Sequence, residues 1–311
     1  MELRHLRYFA AVAREGSITK AAARLGIQQP PLGQQIRALE SELGVALFDR
    51  AAKRITLNAN GEMFLQAAQR LLTDADAMID NLRRFDKGER GRITVGFTSS
   101  ASMHHLAPQI LRAFRAAYPL AQIAVQESET YELILALEQR RIDAAFLHIA
   151  TRGFPALTSQ VLADEQVVVA VPADHPLARE PERPISLTML SGQPFVVYRR
   201  TDGPGLFNDI LARFEAAGIK IPIADEVNRL IAAVNLVAAG RGLTIVPSSV
   251  QVLHRSAVVY RPMVRRALPP LPLYLVHRRH NDLALIENFI RVTTRLAQAH
   301  RAGGRRQRAG T

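Results

Sequence analysis

Four glutamines, two prolines and an arginine crowd into "GIQQPPLGQQIR", residues 26–37. Glutamine and arginine can each form two hydrogen bonds to a base edge, glutamine with adenine and arginine with guanine. The spacing gives these residues a platform. Leu32, Ile36, Leu39 and Leu43 fall on one stripe of a helix, and the opposite face carries Pro30, Gln34, Arg37 and Ser41. Pro30 and Pro31 fit only a first turn, where their missing N–H groups have no intrahelical partner. A helix therefore starts abruptly here and turns hydrogen-bonding side chains outward.

A second group of polar residues follows short apolar runs. "RITVGFTSSAS" places Thr98, Ser99, Ser100 and Ser102 after a strand and before a helix, and "ESETY" places Thr130 at the next helix start. His148 ends "AAFLHI", "YRRTDGPG" supplies Tyr198, Arg199, Arg200 and Thr201, and "VPSS" supplies Pro247 and Ser248. Ligands sit at the carboxyl ends of strands in open α/β sheets. Hydroxyls, arginines and helix N–H groups there suit a small anion.

Other chemistry is poorly represented. "MHH" at 103–105 lacks a further ligand at a recognisable spacing, and adjacent histidines on a helix are expected to diverge. His175 in "ADHPLA" reads as a turn residue. No glycine-rich phosphate loop or nucleophile elbow appears. We expect no enzyme, no metal and no cofactor. With no cysteine, disulfides, zinc thiolates and thiol redox sensing are excluded.

The elements that hold the first group are legible. Leu3, Leu6, Phe9, Ala10 and Ala13 make one helical stripe. Ser17 can cap a second helix carrying Ile18, Ala21, Ala22 and Leu25, and Gly26 can end it. Ala22, Gly26 and Leu32 stand where a tight helix-turn-helix needs a small residue, a permissive turn and an apolar plug. "VALFDRAAKRITL" then reads as a two-stranded wing with Arg50, Lys53 and Arg54 at its tip, suited to phosphates or a minor groove. A lone amphipathic helix is usually a solvated face; the helix before it and the basic wing after it favour a DNA reader.

From Glu62 to Lys87 the chain lacks Gly and Pro, and Phe64, Ala68, Leu71, Ala75, Met78, Leu82 and Phe85 alternate spacings of four and three. This predicts a helix of about 25 residues, roughly 37 Å, with a pairing seam. "FDKGERGR" reads as a hinge-like linker. Beyond it strands and helices alternate in βαβ order, which predicts a largely parallel sheet and enough chain for two lobes.

Net charge is +12, which favours a polyanionic partner. The arginine-broken N-terminus is not a signal peptide, and no apolar run approaches a membrane span. We expect a cytoplasmic chain with no membrane partner.

Residues 1–60 resemble the winged helix-turn-helix of LysR-type transcriptional regulators. The likeness rests on "MELRHLRYFAAVAREGSITKAAARLGI", the "Q-P-P-L" opening of the second helix, and "ALESELGVALFDR…R.TL…G". Two positions depart from the family pattern: Gln28 where Ser is usual, and Gly33 where Ser or Thr is usual. The resemblance implies DNA contacts by Gln29 and Pro30, to which helical geometry adds Gln34 and Arg37. It implies that residues 61–87 link the domains and pair two subunits. It also implies a regulatory domain like periplasmic solute-binding proteins over 88–300, with lobe one at 92–162 and 268–300 and lobe two at 163–267. A small-molecule effector would then bind between the lobes, with Ser99, Ser100, Ser102, Thr130, His148, Arg200, Thr201 and Pro247 as candidate contacts. The expected partners are operator DNA, an organic anion, a homodimer or homotetramer, and RNA polymerase. Residues 301–311 are expected to be a disordered basic tail. The competing reading is a DNA-binding or architectural protein that acts constitutively, without a ligand.

Overall fold

The computed structural model describes residues 1–51, 54–151, 153–198 and 206–309; side chains at 50, 51, 206, 208, 209 and 303–309 are outside the description. Two compact units divide the chain, Met1–Arg84 and Phe85–Thr311.

The first unit packs α1 (Leu3–Glu15), α2 (Ile18–Leu25) and α3 (Gln29–Leu43) around Leu6, Phe9, Val12, Ala22, Leu32 and Ile36. The Ser17 side chain accepts a hydrogen bond from the Lys20 N–H at 3.4 Å and caps α2. Gly26 ends α2 at φ +66°, a left-handed value that costs a glycine little. Gln28 precedes α3 without a side-chain cap, and Pro30 and Pro31 occupy its first turn. β1 (Phe48–Ala51) and β2 (Arg54–Leu57) pair antiparallel as the wing. Glu40 on α3 accepts from the backbone N–H of Leu47 at 2.9 Å and fixes where the wing begins. α4 (Ala59–Asp86) follows. Its start is set by Asn58, which accepts from the Gly61 N–H at 2.9 Å and donates to the Ala46 carbonyl at 2.9 Å.

The second unit has two lobes. Lobe one begins with β3 (Arg90–Phe97), α5 (Ser99–Met103), α6 (Leu106–Ala117), β4 (Leu120–Glu127), α7 (Thr130–Glu138), β5 (Ala144–Leu147) and β6 (Leu157–Glu165). Lobe two contains β7 (Val167–Pro172), β8 (Phe195–Tyr198), α8 (Leu206–Ala216), β9 (Ile223–Val227), α9 (Leu230–Ala238), β10 (Thr244–Pro247) and β11 (Val258–Pro262). The chain returns to lobe one as β12 (Leu271–Arg278) and α10 (Ala284–Ala309).

The expectation of a largely parallel sheet needs correction. In lobe one the order is β4-β3-β5-β12-β6; β3 runs parallel to β4 and β5, but β12 is antiparallel to both β5 and β6. The cause is the double crossing: the chain leaves through β6 and comes back through β12 beside it, in the opposite sense. In lobe two β7 lies antiparallel between β10 and β11, while β8 and β9 are parallel and join the sheet at Phe195 and Leu243. The inner strands β5 and β7 are buried along their whole length, as their unbroken apolar sequences require. α6 and α10 cover one face of lobe one, around Phe97, Phe114, Phe146 and Phe289, and α7 covers the other through Leu133 and Leu137.

Three further expectations change. Residues 163–165 belong to the β6 strand of lobe one rather than to lobe two, so the outward crossing falls at Gln166. The hinge-like "FDKGERGR" is pinned. Gly88 sits at φ +65° so close to α10 that a Cβ would stand 2.4 Å from the Leu285 nitrogen, and Asn288 donates to the carbonyls of Lys87 and Gly88 at 3.1 and 3.0 Å. The basic tail is helical through Ala309 as the end of α10; its Ala, Arg and Gln are good helix formers, enough to carry the helix past Gly303 and Gly304. No helix among the described residues is long and apolar enough to cross a membrane.

Candidate functional site

α3 presents Gln29, Pro30, Gln34 and Arg37 on its exposed side, while Leu32, Ile36 and Leu39 are buried below. The Gln29 side chain accepts from the Thr19 hydroxyl at 3.0 Å, which ties the tip of α3 to α2 and orients its amide. Arg37 lies back along the helix, its Nε donating to the Gly33 carbonyl at 3.3 Å. Gly33 is itself buried, and a Cβ there would stand 3.8 Å from the Arg37 guanidinium, an ordinary contact. Arg54 is exposed at the start of β2. The side chain of Arg50 and all of Lys53 lie outside the described residues.

In the second unit, parallel pairing brings the predicted loops together. β3 and β4 run in register up to Phe97 and Glu127, and β3 also pairs with β5 through Phe97 and Phe146. Ser128 donates its N–H to the Phe97 carbonyl at 3.1 Å, and Thr98 donates to Phe146 at 3.4 Å. The segments after β3, β4 and β5 therefore share one edge of lobe one. α5 packs against α9 and the 3-10 turn Ser248–Val252 of lobe two, with Met103 reaching the lobe-two core. Pro247, which ends β10, leads into that turn. Ser99, Ser100 and Ser102 on α5 and Pro247 thus flank the junction between the lobes, and Thr130 opens α7 on the same edge of lobe one.

Their hydroxyls have different commitments. Thr98, not Ser100, caps α5 by accepting from the Ala101 N–H at 3.3 Å. Glu129, not Thr130, caps α7, in a reciprocal box with Glu132. Neither Ser100 nor Thr130 is needed for capping. Ser100 is half-buried, 3.4 Å from the Thr98 hydroxyl. Ser99 donates to Glu127 at 2.6 Å, and Ser102 donates back to the Ser99 carbonyl at 2.8 Å. The Tyr198 hydroxyl donates to the Ile245 carbonyl at 3.0 Å inside lobe two, where burial pushes the phenol pKa up. Arg200 and Thr201 lie outside the described residues.

His148 follows β5 on the same edge of lobe one. Its Nδ1 lies 3.2 Å from the Pro272 carbonyl, which can only accept, so Nδ1 carries the proton. Its Nε2 is buried without a partner, and burial lowers the ring pKa to about 4 against a smaller opposing pull from Glu165. The ring borders a cavity of about 630 Å³ with Arg213 and Pro270 on its other walls, and none of the hydroxyls above lines it.

Sequence reasoning missed Glu165. This residue ends β6 and accepts from the Ser248 hydroxyl at 3.2 Å and from the Ser249 N–H, so lobe one grips lobe two at the crossing. An acidic residue between two apolar strands was the available signal. It also read the histidines of "MHH" as diverging. His104 and His105 instead fall in the break between α5 and α6, and their rings stack with centroids 4.4 Å apart.

A helical DNA reader with a basic wing, followed by two α/β lobes joined by two crossings, defines a ligand-responsive transcription factor. Residues 3–62 match the model for the bacterial regulatory helix-turn-helix protein, lysR family, and residues 86–298 match the LysR substrate binding domain. The HTH-type transcriptional regulator BenM of Acinetobacter baylyi is 36% identical over 289 residues, covering 92% of this chain and 93% of the relative. The uncharacterized HTH-type transcriptional regulator YnfL of Escherichia coli is 34% identical over 283 residues, 91% and 94% of the two chains. Among solved structures, CbnR, a LysR family transcriptional regulator, superposes with TM-score 0.83 at 29% identity, covering 94% of this chain and all of the other. Full-length CbnR complexed with its target DNA gives 0.81. The chain belongs to the LysR family of transcriptional regulators. It is a DNA-binding regulator with an effector-binding domain, not an enzyme.

Proposed function

We propose that a small organic anion enters between the lobes beside Ser100, Thr130 and Pro247 and changes how this regulator occupies operator DNA. The observation that supports this reading is the pair of hydroxyls not used for capping, Ser100 and Thr130, on the helices that follow the paired strands β3 and β4. The effector acts by population shift: it favours the lobe closure to which it binds more tightly, and that preference alters the arrangement of subunits on DNA.

The chain acts in the cytoplasm as a dimer or tetramer and reads two-fold half-sites through Gln29, Pro30, Gln34 and Arg37. Arg50, Lys53 and Arg54 of the wing hold phosphates. Exposed Met63, Leu71, Met78, Leu82 and Phe85 on α4 support pairing, because an unpartnered apolar stripe of this length favours a second helix. Contact with RNA polymerase completes the reading.

The test is thermal unfolding of the full chain against a panel of small carboxylates and matched neutral compounds. A ligand at a hundredfold excess over its Kd stabilises by about 2.7 kcal/mol. The stabilising compound should be an anion, and Ser100→Ala with Thr130→Ala should abolish the shift. A neutral hit, or one indifferent to both substitutions, would contradict the reading.

A further inference from the structure

His105 and His300 are separated by 195 positions, yet the fold brings His105 Nε2 to 3.4 Å from His300 Nδ1. His105 precedes the first turn of α6 and His300 lies on α10; the ring centroids are 4.6 Å apart and the planes tilted by 56°. His104 also stacks on His105, with centroids 4.4 Å apart. This distance is long for a hydrogen bond, since N–H donors sit about 2.7–3.2 Å from their acceptors. It does match a chelate bite: two imidazole nitrogens, each about 2.0–2.1 Å from a tetrahedral Zn²⁺, stand about 3.3–3.4 Å apart.

We propose that His105 and His300 form a two-histidine site for a borderline transition cation, Zn²⁺, Ni²⁺ or Cu²⁺, with solvent completing the coordination. Imidazole suits these ions, whereas Mg²⁺ and Ca²⁺ demand oxygen ligands. Both rings are exposed, so an ion can reach them from solvent. Among the described residues no group of three or more His, Asp or Glu converges. The site is therefore open and exchangeable, loaded according to metal supply rather than built in for folding. A bound ion would staple α10 to the turn between α5 and α6. Because α5 also packs against lobe two, occupancy would bear on lobe closure.

Calorimetric titration of the full chain, prepared without a polyhistidine tag, tests this with ZnCl₂, NiCl₂, CuCl₂ and MgCl₂ in turn. Wild type should bind about one equivalent of each transition ion and no Mg²⁺. His105→Ala and His300→Ala should each weaken binding at least tenfold, while His280→Ala, at another exposed histidine, should leave it unchanged. The electron paramagnetic resonance spectrum of the Cu²⁺-loaded chain should show two coupled nitrogens in wild type and one in either single variant. Both residues are exposed, so the variants should keep the wild-type circular dichroism. Absence of saturable binding, or binding that survives His105→Ala and His300→Ala or is lost in His280→Ala, would overturn the proposal.

Discussion

Glu165 and Ser248 belong to different lobes and meet at 3.2 Å, the serine hydroxyl donating to the same carboxyl oxygen that accepts the Ser249 N–H. The side chain is 4% exposed and its second oxygen is buried without a partner. Glu165 stands one residue before the outward crossing, so this contact spans the place where the lobes would rotate. Glu165→Ala leaves two donors of the Ser248 turn unsatisfied and should cost about 1–3 kcal/mol. Glu165→Gln keeps an acceptor at that point and should cost less than half as much. Urea unfolding of the full chain measures both, and equal costs would mean the contact is not what holds the turn.

Acid should weaken the second unit through two buried histidines. The pKa of His104 is lowered to about 4 by burial, then by the charges of His105 and His300; that of His148 is lowered to about 4 by burial. The unfolded chain binds these protons near the ordinary value of 6.5. It therefore holds more protons than the folded chain in the interval between, and stability must fall as pH drops. The loss should begin near pH 6.5 and level off near pH 4, at a slope of up to about 1.4 kcal/mol per pH unit for each group. Urea midpoints of wild type and His148→Gln over this range test the sign; the variant should have the shallower slope.

The reader and the wing should respond differently to substitution. Arg37→Ala should relax base preference at one position by about 1–3 kcal/mol. Arg54→Ala should weaken binding to all sequences and lower the salt slope by about one. Fluorescence anisotropy on selected and scrambled duplexes, at several salt concentrations, separates the two. If Arg37→Ala leaves the selected site unchanged, the outward face of α3 has been misassigned.

Gly61→Ala reverses a usual sign. In an open helix the change stabilises by about 1 kcal/mol. In α4 the new Cβ would stand 2.1 Å from the Leu47 carbonyl oxygen and 2.9 Å from Leu57 Cδ2. Overpacking of this kind should destabilise the chain by about 1–3 kcal/mol, visible as a lower thermal midpoint. A raised midpoint would show that the wing can move aside.

The first unit was legible because its signals are local. Periodic stripes, Ser17, Gly26 and the paired prolines each act within a few residues, and the helices form where they predict. The strands of the second unit were legible as apolar runs, but their direction was not: the antiparallel course of β12 depends on where the chain re-enters a sheet it left more than a hundred residues earlier. Gly88 looked like a hinge because local sequence cannot show that Leu285 of α10 is pressed against it. The meeting of His105 with His300 and the contact of Glu165 with Ser248 are long-range in the same way. Ser100 and Thr130 were read from strand ends, and only the capping geometry separates them from ordinary helix-start residues.

Coupling between effector and DNA is the central claim, and it is best tested on the full chain with a duplex selected from random sequence. The compound that raises the thermal midpoint is added, and operator affinity and footprint are compared with and without it. Coupling of about 1–3 kcal/mol corresponds to a change of roughly 5–150-fold in affinity, and Ser100→Ala with Thr130→Ala should remove it while leaving ligand-free DNA binding intact. A compound that saturates the protein yet leaves affinity and footprint unchanged would contradict the account.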